Sequence, residues 1–316
     1  MLTNLVVTVC VVAVTLALGW FTWSMRRATN AFAKWGILII GGFVTLILAF
    51  VSFASTKGMF DVYGPRGTPP RQMTVERTPE RIARGEHITN MMCADCHAVN
   101  KQLPLTGGHN LSDDAHMPLG VLQPYNLTPA GPLKDMTDGE IFRAIRQGAD
   151  KNGKRLLVMS AQRVRNLSDE DLQSVIAYLR SAPAVQNETK QEAPSFLTVA
   201  MAGAGMLPTL PGYPPDSITA PPAGPTLEYG KYMVRWAGCD ECHGANLTGG
   251  GGGVLPKGPS LRSVKNWTAE GFIATLRTGK TPYGKMLDST MMPWKIFGRA
   301  SDDELTAIHT YLVSLP

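Results

Sequence analysis

The first 56 residues contain no aspartate or glutamate, and only three basic residues: Arg26, Arg27 and Lys34. Cysteine is scarce, with five in 316 residues. Net charge is also modest, formally +5. Each shortage excludes something. A stretch this long without acidic side chains is a different material from the rest of the chain. The remaining residues carry 27 Lys+Arg against 25 Asp+Glu, which leaves no basic footprint for nucleic acid. No segment alternates apolar and polar residues in the way a half-buried strand does, so the chain reads as all-α.

What fills the acid-free stretch is apolar. Leu5–Trp23 and Trp35–Phe53 are uncharged runs of about 19 residues each. As helices they would reach ~28 Å, close to the ~30 Å hydrocarbon core of a bilayer. Trp20, Trp23 and Trp35 lie near the run ends, where amphipathic rings favour the interface. The first run lacks a basic n-region, exceeds the length of a signal h-region and is followed closely by a second run, so it reads as a span rather than a cleaved signal. The loop Ser24–Lys34 holds all three basic residues, and basic loops stay cytoplasmic. The N-terminus is then expected outside, and everything after about Lys57 on the extracytoplasmic side of a bacterial inner membrane.

Beyond the spans the sequence repeats. "LSDEDLQSVIAYLRSAP" (Leu167–Pro183) matches "ASDDELTAIHTYLVSLP" (Ala300–Pro316). "EIFRAIRQGADKNGK" from Glu140 matches "EGFIATLRTGKTPYGK" from Glu270, placing Arg146 against Arg277 and Gly148 against Gly279. "LTGG" recurs at Leu105 and Leu247. The expected organisation is a two-helix anchor over 1–56, a linker over 57–77, a domain over 78–184, a proline-rich linker over 185–224 and a second domain over 225–316. Leu172, Val175, Ile176 and Leu179 recur at helical spacing, as do Leu305, Ile308 and Leu312. Ser168 and Ser301 suit N-caps, and Ser301/Glu304 and Thr137/Glu140 form capping-box pairs. "FLTVAMAGAGML", inside the second linker, is apolar and suits a short packed helix.

Four of the five cysteines fall in two pentads, "CADCH" and "CDECH", at equivalent places in the repeat. C-x-x-C-H is the pattern of c-type haem attachment. Two thiols on one helical turn reach the two vinyl groups of a porphyrin, and the next residue faces the iron. Cys93, Cys96 and His97 would serve one haem; Cys239, Cys242 and His243 a second. Three rival readings explain less. A redox C-x-x-C belongs in a βαβ context, a zinc site needs four ligands gathered across the repeats, and two short disulfides leave both histidines without a role. A sixth iron ligand is expected from methionine. Met292, before Pro293, has Met291 as its alternative. Met159 holds the equivalent place in "VMSA", with Met117, Met136, His109 and His116 as rivals. Pro124 and Pro259 are candidates to supply the carbonyl that orients each ligating histidine. Cys10 reads as an inert buried thiol in an apolar span, His87 and His309 as surface residues on helices, and Gly249–Gly253 as a flexible loop.

With these residues the chain resembles class I cytochrome c domains in tandem. The stretch from "NLTP" through "DGEIFRAIRQG" to "LSDEDLQSVIAYLRS", and "YGKYMVRWAGCDECHG" with "MPW", are similar to the cytochrome c subunits of membrane-bound dehydrogenases. Two N-terminal spans before two such domains resemble the di-haem subunit of cbb3-type oxidases. The resemblance implies two covalent haem c groups ligated by His97 with Met159 and by His243 with Met292. It implies a non-enzymatic electron-transfer subunit of a respiratory or photosynthetic membrane complex, with a soluble or membrane-bound partner. The alternative is a di-haem peroxidase or a haem sensor with an open iron in the first domain.

Overall fold

The computed structural model of the protein describes residues 1–207, 215, 217–251 and 256–316. Pro208, Pro211 and Pro214 of the second linker, and Gly252 and Gly253 of the glycine run, lie outside the described residues. The chain is mostly helical, as expected. It divides into two compact units: Met1–Pro65, Asn110–Leu122 and Gln191–Pro208 form one; Arg66–His109, Gln123–Lys190 and Thr209–Pro316 form the other.

In the first unit, α1 (Leu2–Ser24) and α2 (Ala31–Tyr63) are both long and apolar enough to cross a membrane. A 3-10 turn, Met25–Arg27, joins them. There Arg26 lies over the Trp23 ring, 3.5 Å from its centroid. The Asn30 side chain caps α2 by accepting from the Ala33 N–H. At about 1.5 Å per residue, α2 is ~50 Å long and outruns a ~30 Å core. It extends ten residues past the apolar run that ends at Phe53, and an exposed Lys57–Asp61 ion pair marks that extension. A short helix from the second linker, Phe196–Gly203, crosses α2 there. The crossing requires glycine on both sides: a Cβ on Gly58 would sit 1.8 Å from the Val199 carbonyl oxygen, and one on Gly203 equally close to that of Ala54. A two-residue antiparallel pair, Gly120–Val121 with Ala193–Pro194, ties the 110–122 segment to this helix. Cys10 is exposed on α1 rather than buried.

The second unit holds the repeats. In the first, α3 (Pro79–Met92) runs into α4 (Ala94–His97). Beyond the short α5 (Leu111–Asp114) of the other unit follow α6 (Asp138–Gln147) and α7 (Asp169–Ser181). With Phe196–Gly203 as α8, the second repeat contributes α9 (Leu227–Ala237), α10 (Cys239–His243), α11 (Ala269–Thr278), α12 (Trp294–Phe297) and α13 (Asp302–Ser314). Thr137/Glu140 and Ser301/Glu304 close both expected capping boxes, and Ser168 caps α7. In each repeat the first and last helices cross at a glycine. A Cβ on Gly85 would lie 1.8 Å from the Ser174 carbonyl oxygen, and one on Gly230 would lie 1.9 Å from that of Ala307. Arg146 and Arg277 are also structural counterparts. Arg146 donates to the carbonyls of Arg165 and Leu167 and pairs with Asp169; Arg277 donates to that of Ala300 and pairs with Asp302.

The repeats join through equivalent positions. Counting from Gly85 and Gly230, Arg84 matches Tyr229 and His87 matches Tyr232; counting from the capping serines, Asp171 matches Glu304. All six meet. His87 Nε2 lies 2.7 Å from Glu304 and the Tyr232 hydroxyl donates to Asp171 at 2.6 Å, so each repeat contributes one ring and one carboxylate. Arg84 binds Asp171 and Glu304, each at 2.8 Å, and the Tyr229 hydroxyl at 3.0 Å. His87 is therefore an interface residue, not a surface one. His309 is not a surface residue either but buried: Nε2 is 3.0 Å from the Trp267 carbonyl and the ring packs on Phe272. The second linker is also pinned at both ends. Asn126 donates to the carbonyls of Val185 and Asn187; the Asp169 N–H donates to the Ile218 carbonyl, and the Ile218 N–H to the Asp169 carboxylate.

Candidate haem-attachment sites

Both pentads sit on a helical turn after the first helix of a repeat. In the first, the Cys96 and His97 N–H groups fold back on the Cys93 carbonyl. In the second, Gly238 at φ 75° ends α9 and opens the turn Cys239–His243. The four cysteines form no disulfide and are half-buried. Burial raises the Cys93 and Cys239 thiols to about 12, helped by Cys96 in one case and Asp240 in the other. Burial thus disfavours the thiolate that redox exchange uses. Among the described residues no group of three or more His, Cys, Asp or Glu side chains converges on a metal position.

The histidines share one geometry. His97 is buried with Nδ1 2.8 Å from the Tyr125 carbonyl; His243 is buried with Nδ1 2.7 Å from that of Pro259. A carbonyl only accepts, so Nδ1 carries the proton and the Nε2 lone pair is left for a metal. Neither Nε2 makes a hydrogen bond among the described residues. Burial also lowers the His97 pKa, outweighing the carbonyl, and favours the neutral ring.

Pro259 supplies the carbonyl as expected, but Tyr125 does so in place of Pro124. The register explains the correction. The Leu127 N–H donates to the Leu105 carbonyl, and the Leu261 N–H to that of Leu247. Leu105 and Leu247 open the two "LTGG" segments, so Tyr125 and Pro259 are the matching residues. The Pro124 carbonyl accepts from Gly108, as that of Gly258 does from Gly250. The Gly107 and Gly249 N–H groups return to the His97 and His243 carbonyls at 2.8 Å each. The described part of the glycine run is therefore bonded to the histidine turn. Gly251 also donates to the Cys242 carbonyl.

Met159 and Met292 are half-buried and pack against the core shared by the repeats. Each precedes its capping serine, Ser168 or Ser301, by the same number of residues. Met291 is 56% exposed. Counting forward from the hairpin gives a different register: Leu156 and Leu287 donate equivalently to the Gly148 and Gly279 carbonyls, and Met292 is then two residues late. The second repeat accommodates the extra residues in a turn, where the Met291 and Met292 N–H groups converge on the Asp288 carbonyl. Where the second repeat has Pro293, the first has Ser160. The Ser160 N–H donates to the Leu156 carbonyl at 2.8 Å, which proline could not do. Its Oγ donates to the Leu157 carbonyl and accepts from buried Arg155 Nε, both at 2.9 Å.

The rival ligands are placed differently. His109, His116 and Met117 are exposed, and the last two belong to the unit that holds the membrane helices. Met136 packs against the core, and its carbonyl accepts from Arg180. Sequence reasoning passes over Trp267. Its Nε1 is buried without a partner among the described residues, a donor that an acidic group of a bound cofactor would satisfy. Half-buried thiols, oriented histidines and half-buried methionines together fit a covalently attached porphyrin in each repeat.

Comparison with known proteins agrees. Residues 80–179 and 229–312, over half of the chain, match the family described as cytochrome c oxidase, cbb3-type, subunit III. The chain is 25% identical over 276 residues to the cytochrome c subunit of alcohol dehydrogenase (quinone) from Gluconobacter oxydans, covering 74% of this chain and 55% of that protein. It is 25% identical over 269 residues to the same subunit from Gluconacetobacter polyoxogenes, covering 74% and 56%. It is 30% identical over 205 residues to a subunit of nicotinate dehydrogenase from Pseudomonas putida, covering 61% of this chain and 16% of that protein. The chain thus spans about half the length of the curated cytochrome subunits it matches. It is a haem c-binding electron-transfer protein with two apolar helices suited to a membrane, and it belongs to the cytochrome c family of cbb3-type oxidase subunit III.

Proposed function

We propose that the chain is a membrane-anchored di-haem cytochrome c that relays single electrons between an integral membrane complex and a soluble or membrane-bound partner. Cys93 and Cys96 hold one haem with His97 and Met159 as axial ligands; Cys239 and Cys242 hold the other with His243 and Met292. The repeated domains span 78–184 and 225–316. The haem domains lie on the outer face of a bacterial inner membrane, with the N-terminus outside and the basic loop inside. Bound haem supplies a reversible one-electron iron couple. The protein fixes ligand orientation, limits water access and sets the potential through the axial methionine.

The observation that carries this reading is the paired proximal geometry: two buried histidines, each with Nδ1 held by the matching carbonyl and Nε2 unbonded. The Ser160–Arg155 lock supports a relay over a peroxidase or sensor. It fixes the turn bearing Met159 by hydrogen bonds, as Pro293 restrains the backbone after Met292. The cytochrome subunits of dehydrogenases among the relatives favour a resident subunit of an oxidoreductase complex as the setting.

The test is a reduced-minus-oxidised spectrum with a pyridine haemochrome count and CO addition to the purified membrane protein. Two c haems, a methionine-to-iron charge-transfer band at two-haem intensity and no CO binding are expected. CO binding to one haem with the band halved moves the open-iron reading forward, and absence of covalent haem refutes the account.

A further inference from the structure

The segment that follows each methionine is tied to the other repeat's haem-attachment turn. Arg163, four residues after Met159, reaches Asp240 at 3.1 Å through Nη2 and Glu241 at 3.2 Å through Nε. Asp240 and Glu241 are the two residues between Cys239 and Cys242. The Arg163 side chain lies across the turn closely enough that a Cβ on Gly238 would stand 2.9 Å from its Cγ. Asn166 adds a 3.4 Å hydrogen bond to the Arg235 carbonyl. In the other direction Arg299, seven residues after Met292, donates to the carbonyls of Asn90 and Lys101 on either side of the first pentad. Lys101 in turn pairs with Asp95, between Cys93 and Cys96.

The exchange is reciprocal in place but not in charge. Arg299 binds backbone carbonyls, whereas Arg163 binds two carboxylates that flank the second site's thiols. We infer that Arg163 is a positioning residue for electron exchange between the two sites: it holds the second attachment turn against the first repeat's methionine segment, and its charge offsets Asp240 and Glu241 and so sets the redox balance between the sites. The inference rests on the two-haem reading above. In the exchange one site loses an electron and the other gains it; no bond changes and no proton moves. A ferric site is one charge more positive than a ferrous one. Uncompensated carboxylates beside the second site therefore favour its oxidised form, and their neutralisation favours its reduced form.

The test is a spectroelectrochemical titration of the full-length holoprotein at pH 8, with haem counted in the same preparation. Arg163→Gln is expected to move the electron between the sites toward the first by about tenfold, equivalent to 59 mV for a one-electron couple. Glu241→Gln is expected to move it the opposite way, and Arg163→Gln/Glu241→Gln to return close to the parent value. Arg163→Lys, which keeps the charge, is expected to retain most of the parent balance. Two haems per chain with potentials unchanged in Arg163→Gln, or shifts of the same sign in Arg163→Gln and Glu241→Gln, would overturn the inference and leave the relay standing. One haem or none per chain in the parent would overturn the relay itself.

Discussion

Glu304 offers a quantitative test of the seam between the repeats. Its carboxylate is 5% exposed and accepts from Arg84 at 2.8 Å, from His87 at 2.7 Å and from its own capping N–H, that of Ser301, at 2.9 Å. Burial alone would raise its pKa, but the hydrogen bonds from His87 and Arg84 outweigh burial and hold it at about 2, against an ordinary 4.5. A depressed carboxylate stabilises the folded state above its unfolded pKa and loses that contribution as pH falls toward the folded value. At ~1.4 kcal/mol per pKa unit, the contribution at pH 7 is on the order of 3 kcal/mol. Glu304→Gln keeps the shape and one acceptor while removing the charge. Urea unfolding of the full chain in detergent, followed by far-UV ellipticity, should show the variant less stable by about that amount at pH 7. The gap should persist down to about pH 4.5 and close toward pH 2. An equal loss at every pH, or no loss at pH 7, would refute the assignment of a buried charged pair to this seam.

Other outcomes follow from single contacts. Ser160→Pro removes the N–H bond to Leu156 and both Oγ bonds, so despite restoring a Met-Pro pair it should lower stability by about 1–3 kcal/mol in thermal unfolding. Gly85→Ala and Gly230→Ala each place a methyl within 2 Å of a carbonyl oxygen of the crossing helix. Each should cost about 2 kcal/mol or more, and a neutral effect would mean the crossings are looser than described. Met292→Ala should open one haem to CO while Met291→Ala leaves both closed, read by CO-difference spectra. The converse result would transfer the axial role to Met291.

What is legible in the sequence is local. The capping boxes need only residues three apart, the pentads only five consecutive residues, and Arg146 against Arg277 only the repeat. What escapes depends on distant partners. Pro124 is the nearest match to Pro259 by residue type, but the Leu127-to-Leu105 bond sets the register one residue later. His309 reads as a surface residue because nothing near it in sequence shows that Phe272 and the Trp267 carbonyl cover it. Glu304 reads only as a capping-box partner of Ser301, and nothing local in the sequence shows that the crossing of the repeats brings it together with Arg84 and Asp171. The residues between Gly148 and Met159 are two fewer than those between Gly279 and Met292. A spacing rule counted from the hairpin therefore does not align the two methionines, whereas one counted from the capping serines does.

The membrane helices follow the same logic in a different solvent. Every buried residue of α1 is polar: Asn4, Thr8, Thr15 and Thr22. Their spacing of four and then seven keeps them on one stripe, while the large exposed side chains are leucines, valines and aromatics. In lipid an apolar side chain gains nothing by leaving the hydrocarbon, so helix pairing comes from close packing and hydrogen bonds. Thr15 shares a hydrogen bond with Ser52 across the pair, and Gly19 and Gly41 let α1 and α2 approach against Thr45 and Thr22. Asn4, where α1 begins, donates to the Tyr63 hydroxyl and to the Pro194 carbonyl. These contacts add nothing to membrane retention, for which one apolar helix suffices. They fix α1 to the extended end of α2, where Gly58 receives α8.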